Sequence, residues 1–476
     1  MFSYKLLSLL LAFDKYALNR FRKYLHSPYF NEQEDIIRLF EACNTVVRRG
    51  GDALLTFDKL SAWRAVYPES PFDDAQLRRL SSELTHFALR FKALESWAND
   101  PLNELIYMQE IADQYELPKH LNSIERQIDR FFTETTEVSA AHYLRQFKVQ
   151  WNGFQRASKK GASTAAYLDR LSAADQYLEI FYIIQKMKLY AGWLILSNIR
   201  STERIIRLMP DFLALVDASA HMEVPLIKVY RKIIHCLSFP DEETLFESLC
   251  IDLEMYARQL TKEDLRECYQ IAQNYCAFKV NKGKTHYYPI YFQLIKHTID
   301  LDILLENNQL SEGVFKNIIT ISLRVGEFVW AEDFIDRYHV FLPSDIRENA
   351  RTFNLANLYS HQRQFGRVIE LLRSVEYNDL SYALSSKLIL VRTYYDTQEW
   401  MALDSLIDSF RVFLRRNKEL SKSFKTEYTN FLLFTKKLSA IHPGNTADLL
   451  KTRHQITACN AVVSKKWLLE KLSEME

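Results

Sequence analysis

The sequence predicts an all-α protein, a helical-repeat superhelix of paired helices laid in series behind an N-terminal helical bundle. Three observations carry that expectation. Backbone breakers are scarce, with ten glycines and eleven prolines in 476 residues, whereas tight hairpins and phosphate-binding turns consume glycine because they need positive φ or close backbone approach. Apolar residues recur at helical spacing over long stretches, and no short segment shows the period-two alternation of a strand. An internal repeat near residues 311–440 recurs at offsets close to those of helix-pair arrays.

Composition bounds the rest. A chain of 476 residues exceeds the size at which one core stops growing, so two or three packed regions or an elongated array are expected. Apolar and charged fractions of 48% and 25% are those of a globular protein and argue against disorder. Lys and Arg number 61 against 60 Asp and Glu, so no global field draws the chain to nucleic acid or an anionic membrane. Six cysteines (Cys43, Cys236, Cys250, Cys268, Cys276, Cys459) show no CxxC spacing, which reads as reduced thiols in a cytoplasmic protein.

In residues 1–98, the run Leu6 to Phe13 follows Lys5 in the manner of a signal-peptide core. It lacks a small-residue cleavage site and runs into Asp14, which can cap a following helix while Phe13 and Leu18 form a hydrophobic staple. Leu18, Phe21, Tyr24 and Leu25 then share a face until Ser27-Pro28 stops the helix. Ile36, Ile37, Leu39, Phe40 and Cys43 mark the next helix, which is expected to end before Arg48-Arg49-Gly50-Gly51-Asp52. Asp73-Asp74 can cap a long helix carrying Leu77, Leu80, Leu84, Phe87, Phe91 and Leu94, completing a small bundle.

Residues 99–310 continue as helices through Leu105–Ile111, Ile124–Phe132, Tyr143–Trp151, Tyr167–Ile199, Ile205–Leu215, Leu226–Leu237, Leu245–Tyr256, Leu265–Val280 and Tyr287–Leu305. Breaks are expected at Asp100-Pro101, Pro118, Lys159-Lys160-Gly161, Pro225, Pro240 and Asn281-Lys282-Gly283. The stretch Tyr177 to Ile199 is apolar, yet Glu179, Lys186 and Lys188 interrupt it, so a buried helix rather than a membrane span is predicted.

Residues 311–440 carry the repeat. Gly326, Phe328, Ala331 and Ile335 precede Pro343. Ala356, Tyr359, Phe365, Val368 and Leu372 follow at corresponding offsets, then Val391, Tyr394, Trp400, Leu403 and Ile407. The turn aromatics Phe328, Phe365 and Trp400 are 37 and then 35 residues apart. Small or aliphatic residues one turn later let the second helix of each pair close on the first, and each pair leaves an apolar face for the next to cover. In residues 441–476, Trp467, Leu468, Leu469 and Leu472 would form a capping helix.

With these residues the segment resembles tetratricopeptide and related α-solenoid repeats. The chain is also similar to a group of uncharacterised bacterial helical-repeat proteins through Ser27 to Asn31 (SPYFN), Leu323 to Phe328 (LRVGEF) and Leu406 to Lys418 (LIDSFRVFLRRNK). The glycine before the turn aromatic is Arg363 and Gln398 in the second and third units, which leaves both true tetratricopeptide geometry and a divergent solenoid open.

No reactive constellation emerges. Gly283-Lys284-Thr285 mimics the end of a phosphate loop, but Phe278 stands where its first glycine belongs and no strand precedes it. Twelve histidines form no HExxH pattern, and His235-Cys236 point to different faces of one helix. Cys268 and Cys276 share a face without a second ligand pair, there is no GxSxG elbow, and Glu242-Glu243 read as a solvated helix start. The expectation is a protein that is not an enzyme, without cofactor or metal.

Two surfaces are candidates for binding a protein or peptide. In a tetratricopeptide array the first helix of each pair lines the concave face, which would present Lys316 and Asn317, Asn354 and Asn357, and Arg392 as a clamp for an anionic, extended ligand. The second surface is basic. Between Arg411 and Lys437, eight cations including Arg411, Arg415, Arg416, Lys418, Lys422 and Lys425 face two glutamates. That excess would suit phosphate, acidic peptide or, as the alternative function, nucleic acid.

Overall fold

A computed structural model describes residues 4–159, 164–199, 209–372, 380–418, 420–442 and 445–475. Among the described residues the regular structure is helical; only two isolated bridges, Val138–Leu260 and Glu306–Gln309, pair extended backbone. No described helix is long and apolar enough to cross a membrane.

One compact unit comprises the chain up to Thr136 together with Ala141–Glu179. Its helices are α1 (Tyr4–Leu11), α2 (Lys15–Leu25), α3 (Glu34–Arg49), α4 (Asp52–Thr56), α5 (Lys59–Val66), α6 (Asp74–Ala98), α7 (Pro101–Gln114), α8 (Pro118–Glu134) and α9 (Ala140–Lys159). The first part of α10 (Thr164–Ile199) belongs here, and the helix passes into the second unit after Glu179. Aspartates start these helices as their sequence implies: Asp14 accepts from the Ala17 amide at 2.6 Å, and Asp73 accepts from Ala75 and Gln76. Asp100 accepts from Leu102 in front of Pro101. Phe21 is central to the first core, 5.1 Å from Phe40 and 5.2 Å from Phe91 between ring centroids. The Ser27–Asn31 stretch is a fastened turn. Buried Asn31 donates to the Leu25 carbonyl and accepts from the Gln33 amide, while Phe30 stacks on Tyr24 at 4.4 Å. A separate core gathers Leu102, Ile106, Leu121, Ile124, Ile128 and Val149. Beside it, nearly buried Arg156 donates to Glu125 with Asp113 3.8 Å away, so the charge taken from water is paired.

The second unit comprises Glu137–Ala140 and Ile180–Glu476. After α10 come α11 (Met209–Asp217), α12 (Pro225–Ser238), α13 (Glu243–Met255), α14 (Lys262–Asn281), α15 (Tyr287–Asp300), α16 (Glu312–Val325), α17 (Phe328–Tyr338) and α18 (Arg347–His361). Then follow α19 (Phe365–Leu372), α20 (Leu380–Asp396), α21 (Trp400–Arg416), α22 (Lys422–Ala440), α23 (Thr446–Ala458) and α24 (Lys465–Met475). From α12 to α22 each helix packs on its successor, and α18 also touches α16 and α20.

The three turns expected to be equivalent close in one way. Gly326, Arg363 and Gln398 have φ of 85°, 58° and 58°. The next amide in each turn donates back to Ser322, Tyr359 and Tyr394 respectively, every time at 2.9 Å. This left-handed cap satisfies carbonyls that a helix end leaves orphaned. The following helices begin at Phe328, Phe365 and Trp400, and Ala331, Val368 and Leu403 are buried one turn later.

The helix predicted to run to Leu305 ends at Asp300, because Asp302 turns left-handed (φ 53°) and the Ile303 amide returns to Thr298. Part of the predicted Ile205–Leu215 helix and of the Lys159-Lys160-Gly161 break lies outside the described residues. Glu242 and Glu243 open α13 as expected of a helix start, but Glu243 is half-buried. It sits 3.1 Å from the ammonium of buried Lys279, which also lies over the rings of Tyr275 and Tyr287.

Candidate ligand-binding surfaces

The phosphate-loop mimic is a helix end. Gly283 has φ 86° and the Lys284 amide donates to Lys279 at 3.0 Å, the same cap that closes α16. Burial favours the neutral thiol at five cysteines: it pushes Cys43 and Cys250 up to about 12 and Cys236 up to about 11, and raises Cys268 and Cys276 as well. His235 pairs with Glu242 at 2.8 Å while Cys236 is buried. Among the described residues no group of three or more His, Cys, Asp or Glu is placed to hold a metal ion. Lys188 is spent on Asp264 at 2.5 Å and Glu267 at 2.9 Å.

The five clamp residues do not meet at one open site. Asn354 is 1% exposed, and its amide donates to the Ala350 carbonyl one turn earlier at 2.7 Å. Arg392 is covered from the C-terminus: its guanidinium donates to Ser464 and lies 5.8 Å from the Trp467 ring centroid. That burial depresses its pKa. Lys316 reaches across from α16 to lie over Phe353 of α18 at 5.6 Å. Asn317 is exposed, and half-buried Asn357 offers its carbonyl to His361.

The basic surface keeps its charges toward solvent. Arg415, Arg416, Lys418 and Lys422 are exposed, Arg411 and Lys425 half-buried, and Arg411 is 3.6 Å from Asp408. Acidic groups intersperse it, since Lys436 pairs with Asp404 at 3.0 Å.

Two concavities were not anticipated from the sequence. Lys387 of α20 lines a 460 Å³ cleft with Ser409, Val412, Phe413, Arg416 and Asn417 of α21 and its end. The Lys387 ammonium lies 5.4 Å from the Phe413 ring centroid, and burial lowers its pKa. A lone lysine in the apolar run Tyr382 to Leu390 was the only signal for it. In the first unit, Trp97, Tyr107, Met108, Ile111, Leu117 and His120 line an apolar groove of 540 Å³. Tyr107 and Ile111 there remain 56% and 51% exposed. The signal was the second apolar face of α7, since its first face already packs through Leu102 and Ile106.

No family model, no curated protein and no solved structure matches this chain.

Proposed function

We propose that this chain is a non-catalytic protein- or peptide-binding scaffold, with α16 to α22 forming a tetratricopeptide-like superhelix sealed by α24. The observation that carries the proposal is the threefold recurrence of one turn: a left-handed residue, the same 2.9 Å return hydrogen bond, an aromatic helix start and a buried small or aliphatic residue one turn on. Helix pairs joined identically stack their apolar faces in series and present extended surface for recognition rather than a closed pocket for chemistry. In this proposal Lys316, Asn317 and Asn357 are the groove contacts, whereas Asn354 is buried within α18 and Arg392 ties α20 to the terminal segment. The neutral, buried thiols and the ion-paired lysine of α10 support the non-catalytic part.

The test is affinity capture on the immobilised full-length chain, followed by purification of captured proteins and calorimetry with each. A saturable complex that weakens with a Lys316→Glu, Asn317→Ala, Asn357→Ala variant is expected. If no purified candidate binds saturably, the scaffold proposal fails. If the triple variant binds like wild type, the groove contacts fail.

A further inference from the structure

We infer that the cleft between α20 and α21, with Phe413 as its floor and Lys387 and Arg416 at its sides, receives an internal Asp or Glu side chain from an acidic segment of a partner protein. This rests on the scaffold proposal and names the chemistry of one contact surface.

The first argument is an uncompensated cation. Lys188, Lys232, Lys279 and Lys471 all recede from solvent, and each meets a carboxylate at 2.5, 2.5, 3.1 and 2.8 Å. Lys387 is half-buried, yet among the described residues its ammonium meets the Phe413 ring and no carboxylate. Partial burial of an ammonium costs free energy unless an opposite charge joins it, so a carboxylate arriving from outside gains what those four lysines already have. Arg416 is likewise without an ion pair among the described residues, and its planar fork can donate to both oxygens of one carboxylate. The second argument is the apolar lining. Val412 and Phe413 suit a hydrophobic residue beside the acidic one, and Ser409 contributes a hydroxyl oxygen.

The setting favours a peptide over a polyanion. Asp404 and Asp408 project from the same helix, 57% and 69% exposed, where a phosphate backbone tracking toward Arg411 would meet them. A segment with one or two carboxylates avoids that repulsion, whereas nucleic-acid binding gains from uninterrupted cations.

Fluorescence anisotropy on the full-length chain tests the inference. The probes are a pool of N-acetylated, C-amidated octapeptides with Asp or Glu at the two central positions and Leu, Val or Phe beside them, and the same pool with Asn or Gln at the centre. The acidic pool should bind at least about tenfold tighter than the neutral one, as loss of a charge-assisted contact implies. A Lys387→Met, Arg416→Gln variant should lose about tenfold or more with an unchanged thermal midpoint. Lys387→Arg, which keeps the charge should the double variant misfold, should retain binding, and so should Lys418→Gln, Lys422→Gln outside the cleft. Failure of the acidic pool to bind wild type, or equal binding by the cleft variants, overturns the inference and leaves the scaffold proposal standing, because that is tested through α16 and α18. A single-stranded oligonucleotide that displaces the peptide and depends on Lys387 would also overturn it, in favour of nucleic acid.

Discussion

Arg392 of α20 lies beneath Trp467 of α24, its guanidinium 5.8 Å from the indole centroid and hydrogen-bonded to Ser464, 72 residues further along the chain. Trp467 also meets Tyr395 at 5.3 Å and Phe431 at 5.8 Å, so one indole ties the terminal helix to both α20 and α22. Trp467→Ala should therefore destabilise the end of the second unit by roughly 2–4 kcal/mol, somewhat less than the loss of an aromatic from a closed core because Trp467 is half-buried. Hydrogen exchange should accelerate in α24 and α20 and stay unchanged in α12 to α14. Uniform acceleration, or none, would contradict this tie.

The three left-handed turns make opposite demands on their residues. Gly326 adopts φ 85° without strain, whereas Arg363 and Gln398 hold φ 58° against the clash of a Cβ atom. Gly326→Ala should cost about 1 kcal/mol even though a Cβ there meets open space. Arg363→Gly and Gln398→Gly should each stabilise by up to about 1 kcal/mol, after the entropy glycine adds to the unfolded chain. Thermal unfolding midpoints of the three variants read the signs directly.

Thiol labelling should separate the cysteines. Cys43, Cys236, Cys268 and Cys276 are buried, and burial raises the pKa of each, as it does for half-buried Cys250, so little thiolate exists near pH 8. Cys459 is half-buried at the end of α23, beside Asn430 and Ala461. Mass spectrometry after alkylation at about pH 8 should find Cys459 modified first and the other five only on unfolding. Rapid modification of Cys268 in the folded protein would refute the packing of α14.

The first unit should be acid-labile. Hydrogen bonding from Arg20 and, secondarily, Lys92 depresses the pKa of Glu95, and Lys59 with Arg78 does the same for Asp74. A carboxylate whose folded pKa lies below its unfolded value contributes stability that is fully present above the unfolded value of about 4. That contribution disappears as pH falls through the folded value. The thermal midpoint should drop between about pH 5 and pH 3, and Glu95→Gln should be less stable at neutral pH yet lose less over that window. A parallel pH profile for the variant would show that the Arg20–Glu95 pair contributes nothing.

Much of the architecture was legible because its causes are local. Asp14 and Asp73 cap the helices their sequence context assigned, and Leu468 and Leu472 are buried in the terminal helix. Phe328, Phe365 and Trp400 all open helices after a left-handed turn, although two of those turns lack glycine. The end of α15 was misplaced for that last reason: Asp302, Asn307 and Asn308 take positive φ without a glycine to mark it. The binding surfaces were far less legible. Helical spacing along α18 and α20 carried no information on what covers Asn354 and Arg392. Lys387 went unnoticed because its partners in the cleft stand on the next helix.

Residue-by-residue chemistry was enough to decide that this chain is helical, where its helices are capped, and that three of its turns repeat, since each depends on contacts within a few positions. Whether a given polar side chain meets solvent was decided only when distant segments packed. Ser464 and Trp467 remove Arg392 from any groove, and among the described residues no carboxylate pairs with Lys387. Burial and counter-charge are properties of neighbours in space, and periodicity along one helix cannot encode them.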